Sequence, residues 1–97
     1  MSCLPPQFDY HGPHVAAPQA GVVRVEWMPV LPRADRLRVR GHTCACRYPM
    51  FERCTAGGLW FVRHYPFDEQ ADILESAWMS ACAARTLWMQ ILTGQAR

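Results

Sequence analysis

Lysine is absent from this 97-residue chain, and all ten basic residues are arginine. Such a surface carries no compact ammonium groups. It presents planar forks that pair bidentately with carboxylate or phosphate. With frequent Ala and Gly, the bias fits coding in a GC-rich bacterial genome, which describes the host and not the function. Long apolar runs are also missing. None approaches the ~18 residues that a membrane-spanning helix needs. Met1 to Pro6 lack the charged stretch followed by an apolar stretch that marks a secretory signal, so the expected location is the cytoplasm. There is no phosphate-cradling glycine loop, because Ala56-Gly57-Gly58 sits between strand patterns and not before a helix. No carboxylate pair for hydrolysis is identifiable; Asp68, Glu69, Asp72 and Glu75 read as helix-start charges. No internal repeat is present.

What is present supports one folded domain. Hydrophobic residues make up 51% of the chain and charged residues 19%, which argues against intrinsic disorder. The net charge of +2 is unevenly spread. Residues 33–63 carry seven Arg against Asp35 and Glu52, a basic block between mildly acidic flanks. The five cysteines (3, 44, 46, 54 and 82) are odd in number, which points to reduced thiols and not a disulfide framework.

The fold expected is α+β: a small antiparallel sheet of three or four strands with one long C-terminal helix packed on one face. Residues 1–20, with four Pro, read as a flexible arm, and residues 21–97 as the single domain. His11 and His14 have ligand-like spacing, but Gly12 and Pro13 argue against a helix, so both read as incidental to the arm. Gly21 to Met28 alternates as a first strand, with Val23, Val25 and Trp27 on one face and Pro29 at its end. Arg36-Leu37-Arg38-Val39-Arg40 gives the cleanest alternation, with Leu37 and Val39 inward and the three Arg outward. A hairpin follows, Tyr48 to Cys54 and Leu59 to Tyr65 around Gly57-Gly58. The helix is expected from Ala77 to Thr93, with Ser76 as N-cap and Gly94 beyond the C-terminus; residues 72–75 read as a short strand. A rival start caps the helix at Asp68.

Side-chain direction after Gly41 decides the functional reading. If strand parity continues, His42, Cys44 and Cys46 share the Arg face. If Gly41 marks a bulge, the parity flips and they turn inward. The candidate metal ligands are Cys44, Cys46, Cys54 and His42, with His64 as the alternative. These soft donors favour zinc or an iron–sulfur cluster. In a straight strand, however, residues i and i+2 stand ~6.5–7 Å apart, so Cys44-Ala45-Cys46 needs a bend to share one ion. Packing of small apolar Cys is the plain alternative.

Arg36, Arg38 and Arg40 form the candidate binding face, with Tyr48, Phe51 and Trp60 near enough in sequence to stack on bases. Trp78, Leu87, Trp88 and Leu92 offer apolar helix surface for a second copy or another protein, hence an expected homodimer. The leading functional expectation is a small non-enzymatic interaction module that uses the Arg strand and this helix face. Its partner would be a protein or other anionic molecule, nucleic acid included, and not a membrane; it needs no cofactor. The first alternative is a zinc-binding module, and within it a nucleic-acid-binding regulator. The second is a thiol enzyme or redox sensor using Cys44, Cys46 or Cys54.

Overall fold

A computed structural model of the chain describes residues 12–30, 36–68 and 70–97. Residues 1–11 of the expected 1–20 arm, with His11, lie outside the described residues, as do residues 31–35 and Glu69.

The fold is α+β, with five antiparallel strands and one C-terminal helix. The strands are β1 (Met28–Pro29), β2 (Arg38–His42), β3 (Met50–Ala56), β4 (Leu59–Tyr65) and β5 (Leu74–Glu75), and the helix is α1 (Ala81–Leu92). They lie in the order β1-β5-β4-β3-β2. The strand number exceeds the three or four expected: β1 and β5, only two residues each, both join the sheet, β5 within the short strand read over residues 72–75.

The β3–β4 hairpin forms as its glycines dictate. Ala56 pairs with Leu59, and Gly57 and Gly58 turn the chain at φ 58° and 80°. Two consecutive positive φ values make a turn that matches the strand twist and suits residues without a Cβ. Both faces of the hairpin are covered. Phe51 and Val62 pack with Trp88 and Ile91 of α1, and Trp27 and Val25 lie against the same cluster. On the other face Cys54, Ala56 and Phe61 pack with Leu37 and Trp78. The Trp78 ring stacks on Phe61 with centroids 4.7 Å apart and planes at 2°.

Three local expectations are corrected. The first strand does not run from Gly21 to Met28. Val23 instead makes a parallel bridge to Ala96, and its side chain is exposed. Pro29 lies within β1 and pairs with Leu74. Val39 is exposed and not in the core. The helix begins four residues later than expected. Ser76 satisfies Val62 through its own hydroxyl, and Met79 exchanges two backbone hydrogen bonds with Trp60, so residues 76–79 continue along β4. Ser80 then caps α1 by accepting from Ala83 N. The helix ends as expected. Gly94 stands at φ 81°, its N–H donates to Ile91 O, and Gln95 N–H donates to Gln90 O, the paired bonds of a Schellman stop.

The segment from residue 12 to 20 lies along this stop. Ala16 N–H donates to Leu92 O, and Gln19 N–H to Gly94 O. A Cβ on Gly94 would collide with Ala17 O. No helix among the described residues is long and apolar enough to cross a membrane.

Candidate metal centre

The end of β2 carries the site. Val39 pairs with Cys54 but Gly41 pairs with Arg53, so Arg40 is an extra residue and the ladder steps out of register. This bulge flips the parity. Thr43 and Cys44, which a regular strand would send to opposite faces, are both buried. Thr43 fixes the exit from β2: its N–H donates to Phe51 O, and its hydroxyl accepts from Phe51 N–H. The chain then turns, with Arg47 N–H donating to Cys44 O. The turn supplies the bend that the Cys-Ala-Cys spacing requires. It brings the Cys44 and Cys46 sulfurs to 3.0 Å.

A third donor comes from far away in sequence. His14 Nε2 lies 3.3 Å from Cys46 Sγ, across 32 residues. Cys44 N–H donates to Pro13 O, which holds residues 13 and 14 beside the turn. Gly12 makes this approach sterically feasible, because a Cβ there would collide with His42 O. All three donor atoms lie within 4.8 Å of one another.

The group thus contains two of the expected ligands, Cys44 and Cys46, and a residue that sequence reasoning set aside. His42, Cys54 and His64 belong to no such group among the described residues. His42 turns Nδ1 toward Thr43 O at 3.0 Å. Cys54 is fully buried in the cluster under Trp78. Its thiol is pushed up to about 12, first by burial and then by the charge of Glu52. The Cys46 thiol is also raised, chiefly by its hydrogen bond with Cys44. No protein-family model, curated protein or solved structure matches this chain. The chemistry of the site therefore rests on these side chains.

His64 is a packing residue. Its ring lies 5.0 Å from Trp27 and 5.4 Å from Phe51, and Nδ1 is buried with no hydrogen-bond partner among the described residues. Burial lowers its pKa, and the Arg97 charge adds to this. The unfolded chain then takes up the proton first, near its ordinary value of ~6.5. The contribution of neutral His64 is complete above that value and is lost as pH falls below it. The melting temperature of metal-free protein should fall between pH 7 and pH 5. His64→Gln should flatten the fall, and an unchanged slope would refute the assignment.

The other expected residues fall into two sets. Arg36, Arg38 and Arg40 are all exposed and line one groove at the hairpin end. Trp88 is buried, and Leu87 and Leu92 are half-buried against the same core. Trp78 is stacked on Phe61. Among the large apolar residues of α1, Met89 is the exposed one.

Proposed function

We propose that this chain is a small non-enzymatic metal-binding module in which His14, Cys44 and Cys46 hold one zinc ion. The observation that carries the reading is the convergence of one imidazole nitrogen and two sulfurs within 4.8 Å, from segments far apart in sequence. A tetrahedral zinc with bonds of 2.3 Å to sulfur and 2.0–2.1 Å to nitrogen needs donor separations of roughly 3.6–3.8 Å. The sulfurs at 3.0 Å would part by less than an ångström, and His14 and Cys46 are exposed and have room to move. Two thiolates and a neutral imidazole balance the charge of the ion. The mixed sulfur and nitrogen set favours zinc over hard cations. A fourth coordination position is left for water or a further ligand.

The ion would tie residues 12–14 to the turn after β2. Its binding displaces thiol protons, so affinity should rise with pH. The raised Cys46 and Cys54 thiols are the reverse of the depressed pKa that a reactive thiolate needs, which weighs against a thiol enzyme. Among the described residues no carboxylate joins the donor group.

The test is a native mass spectrum of protein purified with zinc supplied. One zinc per chain is expected. His14→Ala and Cys46→Ser should lose it, while Cys54→Ser should keep it. Metal-free wild type, or loss of zinc from Cys54→Ser alone, would overturn the assignment.

A further inference from the structure

We infer that the groove at the turn end of the β3–β4 hairpin binds a short stretch of single-stranded nucleic acid. Three observations meet there. The groove, about 280 Å³, is lined by Arg36, Arg38, Arg40 and Trp60, and among the described residues no carboxylate lines it. The β2 bulge places Arg40 so that its Nε donates to Thr55 Oγ1 at 3.1 Å, which orients the guanidinium and, among the described residues, leaves its terminal NH₂ groups for a ligand. Gly57 and Gly58 add no side chains to the groove's end. A forked cation fits the oxygens of a phosphodiester, and three of them along one groove track a backbone and not a single anion.

The aromatic wall selects among polyanions. Trp60 is half-buried, and its position is fixed on two sides. Its backbone exchanges hydrogen bonds with Met79, and the Arg53 guanidinium lies 5.4 Å from its ring centroid. A held indole beside phosphate-reading guanidinium groups is the combination that single strands use, with unpaired bases stacking while cations follow the backbone. An acidic peptide would satisfy the charges and leave the ring unused. A duplex keeps its bases stacked inside and offers none to Trp60. Of the other aromatics expected near this face, Phe51 is buried and Tyr48 lines a different groove with Tyr65 and Pro66, so stacking falls to Trp60. None of these residues takes part in the metal centre, so the two assignments fail independently.

The test uses the full chain, a fluorescently labelled mixed-sequence oligonucleotide of about a dozen bases, and anisotropy at several salt concentrations. Three phosphate contacts predict a slope of log K against log salt of about −2, from ~0.7 per contact on a single strand. Arg36→Ala, Arg38→Ala and Arg40→Ala should each flatten the slope by about 0.7, while Arg→Lys at the same positions should retain it. Trp60→Leu should weaken binding about tenfold with the slope unchanged. If Trp60→Leu melts early, the exposed Arg38→Ala variant decides alone. Three outcomes would overturn the inference: no saturable binding at 50 mM salt, a slope indifferent to all three Arg→Ala changes, or competition by polyglutamate or duplex DNA equal to that of the single strand.

Discussion

Truncating Phe51 to alanine is expected to cost about 3–5 kcal/mol of stability, the largest effect of any single change considered for this chain. Phe51 is fully buried on β3. Its ring faces Trp27 at 5.9 Å and His64 at 5.4 Å, and it belongs to the cluster that joins the sheet to Trp88 and Ile91. Alanine would lose the transfer energy of the ring and leave a cavity that β-sheet neighbours close poorly. A domain of this size has only about 5–15 kcal/mol in total, so the variant should be partly unfolded near physiological temperature. Urea denaturation checks this through a lower midpoint at unchanged slope. Leu59→Ala, at an exposed position next to the hairpin turn, serves as the contrast and should cost under about 1 kcal/mol. A Phe51→Ala loss no larger than that of Leu59→Ala would mean the cluster is not the core. The hydrogen bonds between Phe51 and Thr43 use the Phe51 backbone, so alanine retains them and the donor group should loosen only as the core itself unfolds.

The parts of this structure that were legible in the sequence are those set by neighbours in the chain. Gly57-Gly58 announces its turn because two adjacent positive φ values favour glycine. Gly94 announces the end of α1 for the same reason. The step at Gly41 was legible only as a choice, because a glycine in a strand permits a bulge without requiring one. What decides it is pairing with β3, which the local sequence does not encode. Ser76 and Ser80 are equally good helix caps by residue type. The bridge between Trp60 and Met79, a non-local pairing, assigns the cap to Ser80. His14 was missed for a related reason. A proline-rich stretch has no period, and its position depends on one backbone hydrogen bond to Cys44 and on the close approach of Gly12 to His42. The signal available was the absence of a side chain at Gly12, two residues before His14.

Zinc is expected to add about 2.7 kcal/mol to the unfolding free energy when its free concentration is a hundred times the dissociation constant. For a domain of this length that is an upward shift in melting temperature of roughly 10–20 °C. The increment requires that zinc bind the folded chain better than the unfolded one. The donor atoms come from residue 14 and from residues 44–46, so the unfolded chain must close a long loop to assemble them. Some binding to unfolded Cys and His would reduce the gain without abolishing it. Two variants separate the centre from the thiols in general. His14→Ala removes an exposed side chain and should leave metal-free stability nearly unchanged while erasing the zinc increment. Cys54→Ser places a hydroxyl in the apolar cluster with Phe61, so it should lower the baseline yet keep the increment. Calorimetry with zinc and with chelator reads both quantities on the same samples. An increment that survives His14→Ala at full size would show that zinc acts through other residues. An increment that vanishes in Cys54→Ser, while the protein remains folded, would return the buried thiol to the ligand set.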